Sequence, residues 1–327
     1  MSWNGRTVLV TGAEGFIGSH LTEQLVELGA DVRALVQYNS LGSWGWLDES
    51  AAKPEIDVHL ADVRDRDSLR KPMAGVDTVF HLAALIAIPY SYEAPMSYVQ
   101  TNVEGAMNVF GQALAEGVRL VVHTSTSEVY GTARYVPIDE AHPLQGQSPY
   151  SASKIAADKM AEAFHATYGL PVATLRPFNT YGPRQSARAV IPTIATQVLA
   201  GETVELGSLT PTRDFTYVSD TAAAFVAIAD CPAAVGEVVN TGSGEEISIA
   251  ELAALIAEIV HKTPEVRSVP ARQRPPLSEV ERLCADASKA RTLLGWEPRH
   301  SLRDGLGLTI EWIGRNIERY RVGAYTV

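Results

Sequence analysis

A tyrosine and a lysine four residues apart could form a proton-transfer pair. Tyr150 and Lys154 open a predicted helix, and this spacing puts both side chains on one helix face. Nearby positive charge stabilises a tyrosinate, which would make Tyr150 a general base for a hydroxyl group. Thr126, at the end of a predicted strand, could hydrogen-bond the same substrate oxygen. The three residues indicate a site that removes hydride from an alcohol.

A glycine-rich turn near the N-terminus could hold phosphate groups. Gly12, Gly15 and Gly18 follow a predicted strand and open a predicted helix. The first glycine permits a tight turn, the second lets the backbone approach a pyrophosphate, and the third allows close helix packing. The N–H groups of the helix N-terminus would point at the phosphates. The sequence therefore predicts a dinucleotide-binding turn that includes Phe16 and Ile17.

The end of the second predicted strand bears on the choice of dinucleotide. Val36 stands near the position where an acidic side chain would hold the adenosine ribose. No Lys or Arg follows closely to neutralise a 2′-phosphate, and Glu14 in the glycine turn would repel one. The sequence favours NAD as cofactor and leaves NADP open.

Alternating strands and helices must position these residues. Short, nearly continuous apolar runs are typical of strands buried on both faces. Such runs occupy residues 7–10, 32–36, 58–60, 76–82, 120–123 and 172–175. Helical patterns lie between them at residues 16–28, 99–114 and 152–164. This order predicts an α/β fold with a doubly wound parallel sheet of the Rossmann type.

The pattern of predicted strands and helices changes after residue 177, where Pro and Gly residues separate shorter elements. A predicted helix at 221–228 and a predicted strand at 235–240 resemble the first half again, so the two lobes should be interleaved. We predict a dinucleotide-binding domain of residues 1–178 plus about 215–245. A smaller C-terminal substrate lobe would comprise about 179–214 plus 246–327.

Composition excludes several classes of protein. The 327 residues are 46% hydrophobic, and 27 basic against 38 acidic residues give a net charge of −11. This charge repels polyanions and argues against nucleic-acid or anionic-membrane partners. Two distant cysteines, Cys231 and Cys284, lack metal-ligand spacing. No apolar run reaches the length of a membrane span. We expect a cytoplasmic protein without a metal.

Taken together, the motifs resemble the extended short-chain dehydrogenases/reductases of the NAD-dependent epimerase/dehydratase family. The similar stretches are residues 11–18, 81–84, 125–131, 150–154, 176–184, 213–218 and 294–298. The resemblance implies that Asp62 and Val63 contact the adenine, and that Leu82, Ala83 and Ala84 run beside the cofactor. Members bind a nucleotide diphosphate sugar and usually oxidise its C4 hydroxyl. The resemblance also implies a homodimer through the helices at 99–114 and 152–164.

The stretch at residues 125–131 bears on the chemistry after oxidation. Thr126, Ser127 and Glu128 resemble the catalytic residues of nucleotide-sugar 4,6-dehydratases, in which the Glu removes the C5 proton. Water would then leave across C5–C6, and hydride would return to C6. Ser127 stands where glucose-type dehydratases place an acidic Asp. The same stretch resembles UDP-glucuronate decarboxylases, whereas 4-epimerases commonly lack this Glu.

Further stretches favour one substrate. Residues 38–47, 89–92, 124–131 and 184–192 resemble dehydratases that act on nucleotide-linked N-acetylglucosamine in legionaminic-type pathways. The preferred interpretation is therefore a 4,6-dehydratase of UDP-N-acetylglucosamine, with a decarboxylase or a 4-epimerase as the alternative enzymes. Trp44 and Trp46 could cover the substrate or pack under a loop.

Four side chains are candidates for binding the diphosphate. By resemblance, Arg213 and Arg274 grip phosphate oxygens, Asn179 lies near the same groups, and Arg184 assists. A guanidinium fork suits this task. The fold alone would also permit a non-catalytic dinucleotide sensor, which would need no Tyr150 and Lys154 pair.

Overall fold

The computed structural model describes residues 3–323. The strands in these residues are β1 (Thr7–Thr11), β2 (Asp31–Val36), β3 (Asp57–Leu60), β4 (Thr78–His81), β5 (Leu120–Thr124), β6 (Val172–Pro177), β7 (Asn179–Tyr181), β8 (Thr203–Leu206), β9 (Thr212–Arg213), β10 (Phe215–Tyr217), β11 (Val238–Thr241), β12 (Ile247–Ser248) and β13 (Glu265–Ser268). Seven of them form a parallel sheet in the order β11-β6-β5-β4-β1-β2-β3. The chain order reverses beside β1, as in a doubly wound sheet, and the predicted fold class is confirmed.

The α-helices in the described residues are α1 (Phe16–Glu27), α2 (Arg70–Met73), α3 (Ile88–Glu93), α4 (Pro95–Tyr98), α5 (Gly105–Glu116), α6 (Pro149–Tyr168), α7 (Val190–Ala200), α8 (Val218–Ala229), α9 (Ile249–Ile259) and α10 (Leu302–Arg315). Helices α1 and α8 cover one face of the large sheet, and α5 and α6 cover the other. Val8 and Val10 of β1 pack with α1 and α8, while Leu9 packs with α5 and α6 on the other side. Both faces are buried, which explains why the strands read as continuous apolar runs.

A separate apolar core lies among the later elements. It contains Ile194 of α7, Leu252 and Ile256 of α9, and Leu306 and Ile310 of α10. Between α7 and α9, the chain returns to the large sheet, because α8 packs on α1 and β11 pairs with β6. The exact boundaries of the two domains stay a prediction.

Two predicted helices differ from the observed ones. Residues 99–114 are a π-helical segment, Val99–Glu104, followed by α5. Helix α6 begins at Pro149, three residues before the helical pattern at 152–164, because Ser148 and Ser151 cap each other's backbone N–H groups. Tyr150 lies in the first turn of α6, at the opening of a helix, as predicted. No helix in residues 3–323 is long and apolar enough to cross a membrane.

Candidate functional site

The glycine turn between β1 and α1 is built on backbone contacts. Gly12 has φ of +69°, and a Cβ there would lie 2.9 Å from the backbone of Ala83. A Cβ at Gly18 would collide with the carbonyl oxygen of Gly12. Leu82 and Ala83 donate their N–H groups to Oγ1 of Thr11, each at 3.1 Å. The glycine turn and the segment after β4 are thus held in close contact.

The N-terminus of α1 is open to an anion. Gly15 is the N-cap residue and has no side chain to bond the first N–H groups, and no acidic residue lies in the first turn. Phe16 and Ile17 begin the helix. A turn with these properties fits the pyrophosphate of a dinucleotide. Leu82, Ala83 and Ala84 then follow β4 along the same edge of the sheet.

The carboxylate of Glu14 lies at the end of β2. Its Oε1 accepts a hydrogen bond from the Gln37 N–H at 2.9 Å. Its Oε2 is buried and has no hydrogen-bond partner in residues 3–323. Burial raises the pKa of Glu14 above its usual value, and the Gln37 N–H lowers it in part. Sequence reasoning assigned Glu14 only a repulsive role toward a 2′-phosphate.

The predicted adenine-contacting pair follows β3. Arg64 donates its backbone N–H and its guanidinium to the Asp62 carboxylate, with the Nε atom 3.0 Å from Oδ1. The side-chain hydrogen bond with Arg64 lowers the pKa of Asp62. Val63 is buried, and its side chain packs against Gly105 of α5. Asp62 is therefore an ion-paired acceptor at this edge, and its contact with adenine stays a prediction.

The structure brings Thr126 and Tyr150 together, as the sequence predicted. The phenol of Tyr150 shares a hydrogen bond with the Thr126 side chain. Lys154, one turn further along α6, donates from Nζ to the Thr124 carbonyl oxygen at 2.6 Å. All three side chains thus meet at the carboxyl end of β5. Both ends of the proposed pair are desolvated, because Tyr150 and Lys154 are buried.

Burial moves the two pKa values in opposite directions. It raises the pKa of Tyr150 above its usual value, and the Thr126 hydrogen bond lowers it only in part. It lowers the pKa of Lys154 to about 8. Burial is therefore the dominant influence on the pKa of Tyr150.

Glu128 lies beside this pair. It belongs to the 3₁₀ turn Ser127–Tyr130, whose first N–H groups are capped by the Thr126 side chain. Glu128 is only 8% exposed, and its carboxylate has no hydrogen-bond partner within the described residues. The charge of Glu128 acts on both Tyr150 and Arg213, so it is near both residues. Ser127 is buried in the same turn.

Two of the predicted diphosphate-binding arginines converge. Arg213 and Arg274 each contact Oε1 of Glu279 at 3.4 Å. Asn179 is the residue opposite Phe215 in the β7–β10 pair, and its N–H donates to the carbonyl oxygen of Asp214. Its buried Oδ1 has no partner in the part of the chain described. The two guanidinium groups thus meet at one place, around the Glu279 carboxylate.

Arg184 does not share the Glu279 carboxylate with Arg213 and Arg274. Its guanidinium makes two hydrogen bonds to the Glu23 carboxylate, at 2.9 and 2.8 Å, and one to Ser19. Arg184 therefore ties the segment after β7 to α1, and its guanidinium is already occupied. The predicted role of Arg184 in binding the diphosphate is not supported by its position.

The tryptophans of the loop after β2 pack against structure. Trp46 meets Trp312 of α10 edge to face with ring centroids 5.5 Å apart, and Arg319 lies over its ring. Trp44 packs against the core of the large sheet. Of the two roles considered for these residues, the arrangement favours packing under a loop over covering a substrate.

A buried polar network that sequence reasoning missed lies behind the carboxyl end of β5. Asp158 accepts hydrogen bonds from His123, Ser125 and Arg176 at 3.1, 2.6 and 2.8 Å. Arg176 also donates to the Tyr130 hydroxyl at 2.7 Å. Asp158 stands four residues after Lys154 on the same face of α6, and this spacing was a signal that could have revealed it. The network locks α6 to β5 and β6.

Comparisons with known proteins find the same architecture. The family model described as GDP-mannose 4,6 dehydratase matches residues 9–309. A UDP-glucose 4-epimerase of Mycolicibacterium smegmatis is 35% identical over 93% of this chain and 97% of its own length. A dTDP-glucose 4,6-dehydratase of Streptomyces antibioticus is 32% identical over 94% of this chain and 92% of its own. Dehydratases and epimerases thus share this scaffold.

A solved structure gives the same picture. DesIV, a dTDP-glucose 4,6-dehydratase from Streptomyces venezuelae crystallised with NAD, superposes with a TM-score of 0.89 at 32% identity. The superposition covers 96% of this chain and 99% of that one.

Proposed function

Because this chain belongs to the GDP-mannose 4,6 dehydratase family of extended short-chain dehydrogenases/reductases, we propose that it is an NAD-dependent nucleotide-sugar 4,6-dehydratase. The preferred substrate is UDP-N-acetylglucosamine, which the resemblance of residues 38–47 and 89–92 favours. The product is the 4-keto-6-deoxy sugar. The observation that carries the proposal is the buried, unpartnered carboxylate of Glu128 beside Tyr150.

The cofactor fits the edge of the sheet between the glycine turn and the segment after β4. Gly12, Gly15 and Gly18 with the start of α1 would hold the pyrophosphate. Leu82, Ala83 and Ala84 would run beside the nicotinamide half. When bound there, NAD supplies a hydride acceptor and a positive charge.

Tyr150 removes the proton from the C4 hydroxyl of the sugar as hydride leaves C4. Thr126, which already hydrogen-bonds Tyr150, holds the same sugar oxygen. Lys154 adds positive charge to the site below pH 8 because its pKa is about 8. Burial raises the pKa of Tyr150, and the positive charge that a bound oxidised nicotinamide would supply next to the phenol would favour loss of its proton.

Glu128 then acts on the ketone. A carbonyl at C4 acidifies the C5–H bond, and the Glu128 carboxylate takes that proton. The hydroxyl on C6 leaves as water with the proton that Glu128 has taken from C5, and a C5–C6 double bond forms. Hydride returns to C6 and a proton to C5, so the reaction has no net redox change. Ser127 lies in the same turn but is a poor acid, and it serves best as a hydrogen-bonding group.

The arginine cluster would hold the nucleotide diphosphate. Arg213 and Arg274 present guanidinium groups at one place, and Asn179 adds a side-chain amide next to Arg213. The phenol of Tyr92 lies at the same end, 2.6 Å from the hydroxyl of Ser278, and belongs to the stretch that resembles N-acetylglucosamine enzymes. These contacts support an NDP-sugar substrate.

The proposal includes a homodimer built on the helices around α5 and α6. Val99 and Met107, which lie on the first of these helices, are exposed apolar residues. A contiguous apolar patch on these helices would be typical of a surface that meets a partner.

The test is product mass spectrometry with the wild type and Glu128→Gln. We expect the wild type to remove one water from UDP-N-acetylglucosamine. The variant should still bind substrate and reduce the bound cofactor, seen in its near-ultraviolet absorbance, but lose dehydration by at least about a hundredfold. Glu162→Gln, an exposed carboxylate on α6, is the matched control and should behave as the wild type.

Three outcomes would contradict the proposal. Full dehydration by the Glu128→Gln variant would show that Glu128 is not the base that takes the C5 proton. Loss of carbon dioxide from UDP-glucuronate by the wild type, without dehydration, would make the protein a decarboxylase. A 4-epimer of the substrate with unchanged mass would make it an epimerase.

A further inference from the structure

The end of β2 lacks the acid that a dinucleotide-binding strand normally offers to the adenosine ribose. Val36 stands there instead and is buried in the core. A negatively charged side chain nevertheless lies at this strand end, because Glu14 projects toward it from the glycine turn. Oε1 of Glu14 is 2.9 Å from the backbone nitrogen of Gln37, the first residue after β2. A carboxylate from the turn between β1 and α1 thus lies at the end of β2.

The backbone of Glu14 is clamped by the loop that connects β2 to β3. The N–H of Trp46 donates to the Glu14 carbonyl oxygen at 3.1 Å. Gly45 has a φ of +58°, and a Cβ there would lie 2.6 Å from the same oxygen. Trp46 is itself packed on Trp312 of α10. The side chain of Glu14 therefore projects from a fixed backbone position.

One oxygen of Glu14 is left without a partner. Oε2 is buried and accepts no hydrogen bond in the described residues. A buried carboxylate oxygen without a donor is costly, so this atom is suited to a ligand that brings hydrogen-bond donors. The vicinal hydroxyls of a ribose are such donors, whereas a 2′-phosphate offers only acceptors and negative charge.

We propose that Glu14 receives the 2′- and 3′-hydroxyls of the adenosine ribose, in place of the acid missing from β2, and thereby selects NAD over NADP. The inference rests on the dinucleotide-binding part of the proposed function and not on the dehydration chemistry. Glu14 is in this view a cofactor-specificity residue in the second variable position of the glycine motif.

Nearby cations do not offset this preference. Residues 37–40 are Gln, Tyr, Asn and Ser. Arg33 of β2 donates to the carbonyl oxygens of Pro72 and Ala74, at 3.1 and 2.6 Å. Arg64, which lies after β3, is paired with Asp62. A 2′-phosphate would meet Glu14 with no guanidinium committed to it.

The test measures cofactor binding without any sugar. Nucleotide released from the purified protein by denaturation is identified by mass spectrometry, and NAD and NADP affinities are then titrated on cofactor-stripped protein. Glu14→Gln should weaken NAD by about ten- to a hundredfold while NADP binding stays equal or improves. Glu27→Gln, an exposed residue at the end of α1 with the same charge change, should leave both affinities unchanged.

A second variant makes the test independent of any damage to the turn. Glu14→Ala combined with Gln37→Arg supplies a cation beside the ribose and should reverse the preference toward NADP. The proposal is overturned if Glu14→Gln binds NAD as the wild type does, or if it weakens both dinucleotides equally. Failure of the double variant to gain NADP would also count against it.

The two proposals fail in different ways. Wild-type protein that binds NAD selectively but dehydrates no sugar would refute the dehydratase and leave Glu14 supported. Protein that dehydrates the sugar with equal use of NAD and NADP would refute the role of Glu14 and leave the dehydratase supported.

Discussion

The cofactor edge and the sugar end of this molecule are built in different ways. The cofactor edge consists of backbone held against backbone, as at Gly12 and Ala83. The sugar end consists of long side chains from distant segments, with Arg213 and Arg274 meeting at the carboxylate of Glu279 and the charge of Glu128 acting on Arg213. The first region tolerates almost no added atom, whereas the second depends on charge balance.

This difference reflects the two ligands that we propose. A pyrophosphate next to a helix N-terminus needs short, fixed N–H groups, so the protein removes side chains there. A reacting sugar needs proton donors, acceptors and guanidinium groups, so the protein buries ionisable side chains there and stabilises them with a network. The buried network around Asp158 connects α6, which carries Tyr150 and Lys154, to β5 and β6 of the large sheet.

The largest effect on stability should come from Asp158→Asn, which disrupts this buried network. The change leaves the buried Arg176 guanidinium without its ion pair, and we expect a loss of about 3–5 kcal/mol in the free energy of unfolding, measured by urea denaturation. Asp67→Asn, which removes an exposed pair with Arg70, is the control and should cost less than about 0.5 kcal/mol.

The same network sets a dependence on pH. Although burial acts to raise it, the hydrogen bond from His123 and the charge of Arg176 hold the pKa of Asp158 well below its usual value of 3.8. The stabilisation is therefore present above about pH 4 and is lost as pH falls below that value. The variant should lose less stability than the wild type on acidification. An equal loss in both proteins would contradict this assignment.

A smaller effect, confined to the cofactor edge, should result from Gly18→Ala. The added methyl group collides with the Gly12 carbonyl oxygen, so the turn must shift. We expect NAD affinity to fall by about a hundredfold in a titration, with the sugar end unchanged. Gly307→Ala in α10 meets no atom within 4 Å, and it should leave NAD binding intact and add about 0.5–1 kcal/mol of stability. Wild-type NAD affinity in Gly18→Ala would show that the turn does not bind the dinucleotide.

The smallest effect should distinguish the arginines. Arg213→Gln removes a buried guanidinium from the site, and we expect KM for the nucleotide sugar to rise about ten- to a hundredfold. Arg184→Gln breaks only the pair with Glu23 and should raise KM less than about threefold. Steady-state kinetics on both variants checks this. Equal KM values in the two variants would indicate that Arg184 also binds the diphosphate.

Much of the fold was predictable because its signals are local. Each buried strand carries its own apolar run, and α1 carries its own apolar spacing, so the observed bounds of β1 and α1 lie within one residue of the predicted ones. The start of α6 was less predictable, because it depends on whether Ser148 and Ser151 cap the helix. The π-helical segment at Val99–Glu104 has no comparable local signal.

The site divides in the same way. The sequence by itself determined the glycine turn and the placement of Tyr150 and Lys154 on one face of a helix, because a turn and a helix face are set by residues a few positions apart. Only the tertiary structure decided that Arg184 binds Glu23, that Arg213 and Arg274 share Glu279, and that Glu14 reaches the end of β2. Such contacts join residues distant in the chain or depend on which way one side chain points, and no local spacing encodes where a long charged side chain finds its partner.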